Sequence, residues 1–204
     1  MPTLYFAPGA CSLAAHIVLE EGGEPYEAKP VNLAQGEQRT EAYLSINPQG
    51  RVPVLVLDNG TVVTENTSIL PYLGKRYGLW PKSETGELKA MSMIGLFAAA
   101  VHPAYAHIAR PGRYATDTGA HPNIQETGKA AFTEYLRQID RMLADREWLG
   151  DTYSVLDPYA FVFYCWGVRR ELPVRELKNY TAHRDRLMQR PAVQRVVASE
   201  KIPT

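Results

Sequence analysis

The chain has two cysteines, and their settings differ. Cys11 and Ser12 follow a short run of strand-forming residues and a Pro8-Gly9 turn, and they open a stretch of helical character. A helix start carries unpaired backbone N–H groups and the positive end of the helix dipole. A thiol held there is expected to ionise more readily than free cysteine and to serve as a nucleophile or redox centre. The same cysteine also fits as a small apolar filler. Ser12 reads either as a partner of the thiol or as a simple N-cap. Cys165 sits within Phe161-Val162-Phe163-Tyr164-Cys165-Trp166, and those bulky apolar neighbours mark it as inert core.

Two further segments carry groups that can hold a ligand. In Asn47-Pro48-Gln49-Gly50-Arg51-Val52-Pro53-Val54 a proline opens a strand. That is ordinary edge chemistry, unless the Val52-Pro53 bond is cis and turns the backbone of Val52 outward to pair with a peptide-like ligand. Thr64-Glu65-Asn66-Thr67-Ser68 begins a helix. N-capping accounts for these residue types, and so does a site where helix N–H groups and the side chains of Glu65 and Asn66 hold a carboxylate and an amine. His102, beside Pro103, reads in isolation as a hydrogen-bonded structural histidine.

The elements that must position these groups fall into two halves. Residues 1–78 alternate strands and helices: strand Thr3 to Phe6, helix Ser12 to Glu21, strand Tyr26 to Val31 and a short helix Glu41 to Ile46. A hairpin of Pro53 to Leu57 and Thr61 to Thr64 about Asp58-Asn59-Gly60 follows, then a helix from Asn66 to Arg76. Residues 79–86 read as a linker. From 87 to 204 strand patterns vanish, and helices are expected at Glu87 to Pro111, Gln125 to Asp145, Ser154 to Glu171, Asn179 to Gln189 and Ala192 to Ser199. Gly112 to Asn123, rich in Gly, Thr, Asp and Pro, reads as a mobile loop.

With 204 residues and 45% hydrophobic composition the chain can fill a core. Its 22 basic and 22 acidic side chains cancel, which disfavours a mainly electrostatic nucleic-acid or membrane binder. Two cysteines cannot build a disulfide framework or a thiolate zinc site, and no metal is expected. No uninterrupted apolar run approaches the ~20 residues that span a bilayer, so a cytoplasmic protein with reduced thiols is expected.

Leu4-Tyr5 followed by Pro8-Gly9-Ala10-Cys11-Ser12-Leu13 and His16-Ile17-Val18-Leu19-Glu20, together with Asn47 to Leu55, resembles the glutathione S-transferases, most closely the bacterial beta class. The resemblance spans nearly the whole chain. It implies a thioredoxin-like α/β domain followed by an all-helical domain, and a homodimer. Val52 and Pro53 would pair with the cysteinyl backbone of glutathione, Glu65 and Asn66 would hold its γ-glutamyl end, and Cys11 would lie near its sulfur. Val101-His102 matches the beta-class valine-histidine whose histidine approaches the thiol. Other classes use an N-terminal tyrosine or serine on the thiolate, which makes Tyr5 a second candidate, although an aromatic at a strand end is also sound packing.

Ser154-Val155-Leu156-Asp157 resembles the family's capping box. Asn66, Pro103 and Pro158 depart from the family pattern, and Pro103 stands where relatives can carry a lysine. The implied activity is conjugation of the glutathione thiolate to a small hydrophobic electrophile, a detoxifying reaction. Thiol–disulfide exchange through Cys11 is a second chemistry, and glutathione is the co-substrate. Tyr105, Tyr114 and Trp166 are candidates for the electrophile wall. A noncatalytic binding or regulatory protein on the same fold is the competing reading.

Overall fold

The computed structural model describes residues 1–203. Its first third builds a four-stranded sheet from β1 (Thr3–Phe6), β2 (Glu27–Pro30), β3 (Val54–Val56) and β4 (Val62–Thr64), in the order β2-β1-β3-β4. β1 runs parallel to β2 through the crossover helix α1 (Ser12–Gly22), as a parallel pair requires, while the β1–β3 and β3–β4 pairs are antiparallel. Two more helices belong to this half: α2 (Glu41–Ile46) and α3 (Asn66–Tyr77). The hairpin closes as expected about Asn59-Gly60, with Gly60 at φ 82° and the Leu57 N–H donating to Thr61 O at 2.8 Å.

Period-two alternation along β1 decides what each side chain meets. Leu4 and Phe6 join the main core against α1, while Tyr5 faces the other side of the sheet, in a small cluster with Val31, Tyr43 and Val54. α1 is buried without interruption from Ser12 to Leu19, the pattern of a helix enclosed on every side, and it packs on α3 as well as on the helical half.

That half comprises α4 (Glu84–Leu96), α5 (His102–Ala109), α6 (His121–Met142), α7 (Leu156–Arg169), α8 (Lys178–Met188) and α9 (Pro191–Glu200). A five-residue π-helical turn, Phe97–Val101, joins α4 to α5, and there the N–H of His102 donates to Phe97 O. Pro103 follows directly; its ring has no N–H and would crowd an ordinary turn, and the wide π turn accommodates it. The departure noted at Pro103 therefore takes the form of a bulge, and the helix continues through it.

The stretch Glu84–Ala109 is long and apolar enough by composition to cross a bilayer, with a mean hydropathy of 1.2. Its Ala90, Ile94, Phe97 and Val101 are nevertheless buried in the common core.

Helix boundaries differ from expectation for local reasons. α4 starts three residues early because the Ser83 hydroxyl caps it, accepting from the Gly86 N–H at 3.1 Å. α5 ends at Ala109 because Arg110 precedes a proline and is forced to φ −147°. α6 starts at His121 with Pro122 in its first turn. The segment expected as a mobile loop holds two 3-10 turns, Pro111–Arg113 and Thr118–Ala120. Asp117 Oδ1 accepts from the Gly119 N–H at 2.8 Å, and the His121 ring bonds Ala115 O at 2.9 Å.

The capping residues before α7 do more than cap. The fully buried Asp157 carboxylate accepts from the N–H groups of Ser154 at 2.8 Å and Leu149 at 2.9 Å, and it meets His183 Nε2 at 2.9 Å. One side chain thus joins α7, α8 and the preceding loop.

Candidate functional site

Three chain segments converge at the N-terminus of α1. The Pro8-Gly9 turn needs Gly9 at φ 65°, and the guanidinium of Arg169 occupies the space a Cβ would take. The Gly9 N–H donates to Glu200 Oε2 at 2.8 Å, and Gly9 O accepts from the Trp166 indole at 2.9 Å. Glu200 Oε1 also meets His16 Nδ1 at 2.7 Å, so the C-terminal helix fixes the loop that carries the thiol. Cys11 then stands at the N-cap of α1, with its S–H donating to Val52 O at 3.4 Å across a Val52-Pro53 bond that is cis. The third segment is the start of α3. Asn66 Nδ2 donates to Cys11 O at 2.9 Å, while its buried Oδ1 has no partner among the described residues. Glu65, at the N-cap of α3, adopts φ 67°, a conformation that costs a non-glycine residue energy and persists only where its surroundings impose it.

Two cavities open from this junction, of about 370 Å³ and 290 Å³, and Cys11, Arg51, Val52, His102 and Arg113 line both. The smaller is completed by Pro53, Glu65, Asn66, Tyr114 and Tyr159. The larger lies between the Pro8-Gly9 turn and the ends of α5 and α7. One wall is Tyr105 stacked on Trp166, with centroids 4.1 Å apart and an interplanar angle of 18°.

Comparison with known proteins identifies this arrangement. Residues 9–76 match the family model described as glutathione S-transferase, N-terminal domain. Glutathione S-transferase GstA of Escherichia coli O157:H7 is 30% identical over 203 residues, which cover 97% of this chain and 98% of the relative. The chain belongs to the glutathione S-transferase family. A transferase homologue from Sulfitobacter, solved with bound glutathione, superposes with a TM-score of 0.92 at 29% identity over 100% of this chain and 99% of the other. The beta-class transferase of Sphingomonas chungbukensis gives 0.85 at 31% identity over 97% and 98%.

The electrostatics of the transferase site differ from what a helix start suggests. Although Cys11 keeps some exposed surface, burial of the thiol pushes it up from 9.0 to about 12, and the Glu65 carboxylate adds to the rise. Arg110 and the N–H groups of Cys11 and Ser12 pull the other way and lose. Desolvation outweighs the helix terminus, and Cys11 is a neutral S–H donor at neutral pH. His102 packs edge-on against Trp166, with centroids 5.0 Å apart. Burial, followed by the charges of Arg110, Arg51 and Arg113, lowers it from 6.5 to about 4, so it is a neutral imidazole at neutral pH.

Of the residues anticipated from sequence, Cys11, Val52, Pro53, Glu65, Asn66 and His102 come together here, with Tyr105 and Trp166 on one side and Tyr114 on the other. Tyr114 stacks on His107 at 3.8 Å and is 45% exposed, which makes it a rim residue. Two do not join the site. Ser12 is fully buried with its hydroxyl bonded to the backbone of Ala7, donating at 3.2 Å and accepting at 3.1 Å; it braces the loop and makes no cap. Tyr5 lines neither cavity, because β1 alternation turns it away to meet Tyr43 edge-on at 5.9 Å. Cys165 is buried and pushed up to about 12, first by burial, consistent with inert core.

Sequence reasoning missed three things. Tyr159 reaches the smaller cavity; burial first, and Cys11 next, push its phenol above the usual range. Its place one turn before Phe163 and two before Trp166 on α7 was the available signal. Glu200, a carboxylate inside an apolar C-terminal helix, was the second. The third is a set of arginines, which limits the expected apolar lining to one wall.

Proposed function

We propose that the transferase binds glutathione across both cavities and conjugates its sulfur to an electrophile held in the larger one. The single observation that carries this is that Cys11, Val52 and His102 border both cavities at once, so a thiol lying between them faces each. The γ-glutamyl end fits the smaller cavity, where Glu65 supplies a countercharge to its ammonium and Asn66 lines the wall beside it. The N–H of Val52 has no hydrogen bond among the described residues and is free to pair with the cysteinyl carbonyl, as a strand edge pairs with an added strand.

In the reaction the glutathione S–H bond breaks and its proton passes to solvent; His102, lowered to about 4, is too weak a base to hold it, and its neutral imidazole N–H donates to the developing thiolate. The sulfur lone pair then forms the bond to carbon while the leaving group departs with its electrons. The N–H groups of Cys11 and Ser12 act on the Cys11 thiol, whose one proton is held by Val52 O; turned from that acceptor towards the cavity, the un-ionised S–H donates instead to the developing thiolate. A thiol held near 12 is a poor exchange nucleophile, so mixed-disulfide chemistry at Cys11 is the slower of the two.

Exposed Leu88 and Met91 on α4, 57% and 50% accessible, support a homodimer that covers this face. Kinetics with glutathione and 1-chloro-2,4-dinitrobenzene test the reading. Saturable conjugation that falls at least about tenfold in His102→Ala supports it, and absence of both glutathione binding and conjugation refutes it. Monomer mass by light scattering at micromolar concentration refutes the dimer.

A further inference from the structure

Five guanidinium groups line the larger cavity, those of Arg51, Arg110, Arg113, Arg169 and Arg170, and no aspartate or glutamate lines it. None of the five pairs with a carboxylate among the described residues, although ion pairs are common elsewhere on the chain. Arg169 only touches Gly9 O at 3.5 Å, and Arg170 lies over the Tyr105 ring at 5.7 Å. The positive charges work against one another: burial and then the neighbouring Arg110 and Arg51 lower the Arg113 guanidinium, and the same group depresses His102. Unpaired like charges converging on a cavity are a standing cost that an anionic ligand relieves.

Glutathione does not supply enough anion. Its γ-glutamyl carboxylate lies in the smaller cavity, which Arg51 and Arg113 also line, and can neutralise one of them; the glycyl carboxylate and the thiolate are left for four cations. The remaining wall, Tyr105 stacked on Trp166, is a flat aromatic surface beside the guanidinium groups. We infer that the second substrate is a planar aromatic electrophile bearing a carboxylate, with its ring on the Tyr105–Trp166 wall and its carboxylate on Arg110 and Arg113. This rests on the conjugation reading and narrows its substrate class. For an aryl chloride the balance is simple: the C–S bond forms, the C–Cl bond breaks, chloride leaves with the pair, and the thiol proton goes to solvent.

The test compares 4-chloro-3,5-dinitrobenzoate with its carboxamide, which has the same shape without the charge. The carboxylate is expected to show a KM about tenfold lower, and that ratio should shrink as potassium chloride is raised, because exposed guanidinium groups are screened. In an Arg110→Gln, Arg113→Gln protein the ratio should collapse towards one, and the double lysine variant should restore part of it. A ratio of one or below in the unmodified protein overturns the inference with the conjugation reading intact. So does a double variant that raises the KM for glutathione while leaving the acceptor ratio unchanged, since those arginines then serve glutathione. If neither acceptor is conjugated, the conjugation reading has failed, and calorimetry with 3,5-dinitrobenzoate and 3,5-dinitrobenzamide decides the anion preference alone. Equal binding of the two overturns it, and binding of only the benzoate upholds it.

Discussion

Iodoacetamide titration across about pH 6 to pH 10 measures whether Cys11 is the activated thiol its helix terminus suggests or the buried thiol its surroundings dictate. Raising the group from 9.0 to about 12 lowers its thiolate fraction at neutral pH by about three decades. A more basic thiolate is intrinsically more reactive, with a Brønsted slope of about 0.4–0.5, and this restores nearly half of the logarithmic loss. The net expectation is alkylation about 30 to 60 times slower than a free cysteine peptide, before steric hindrance, with a rate still climbing at the alkaline end. Peptide mapping by mass spectrometry separates Cys11 from Cys165. Two substitutions set the signs: Glu65→Gln removes a charge that raises the thiol and should speed labelling, and Arg110→Gln removes one that lowers it and should slow labelling. A plateau at or below about pH 8, or a rate matching free cysteine, would refute the desolvation argument.

Three further outcomes follow from the same geometry. Because His102 is lowered from 6.5 to about 4 in the folded chain, the unfolded chain binds the extra proton first. Stability should therefore fall as pH drops through that window, by up to about 3 kcal/mol, and urea midpoints for His102→Asn should lose this part of the acid slope. Asp157→Ala strands the buried N–H groups of Ser154 and Leu149 and leaves His183 without its partner; urea unfolding should show a loss of about 3–5 kcal/mol, and a loss under about 1 would contradict the role as a hub. Gly9→Ala puts a side chain at positive φ and displaces the flexible Arg169 guanidinium, so kcat/KM for glutathione conjugation should fall about 10- to 100-fold as the Cys11 loop shifts to relieve the backbone; unchanged kinetics would mean that the loop does not set the site.

What could be read from sequence was local. The strand, turn and helix around Cys11, the Val52-Pro53 junction and the Glu65-Asn66 helix start each lie within a dozen residues and carry their own turn and capping chemistry. Ionisation was not local. The dipole at the start of α1 is visible in the sequence, but the apolar mass that desolvates Cys11 includes α7, more than a hundred residues away. Tyr5 was half legible: alternation with Leu4 and Phe6 fixes it opposite the α1 face, yet only the β1–β3 register shows Tyr5 beside Val54. Ser12 could not be separated from a cap until its bonds to Ala7 closed the loop on itself.

Charge shows most clearly how a correct sum can conceal the chemistry. The 22 basic and 22 acidic residues cancel, and this disfavours broad attraction to a polyanion. The cancellation is not uniform. Glu20, Glu21 and Glu24 bind Arg195, Arg190 and Arg76, and Glu134 takes both Arg137 and Arg141, so these carboxylates are occupied far from the thiol. The five arginines of the larger cavity are left with Gly9 O, an aromatic face and one another. Neutrality overall therefore coexists with a strongly positive pocket beside Cys11. A surface net charge acts at long range and is cut off within about 10 Å at ordinary ionic strength, whereas a cavity places its charges in contact with the ligand. On the proposed reading, the distribution of charge, and not its total, carries the specificity.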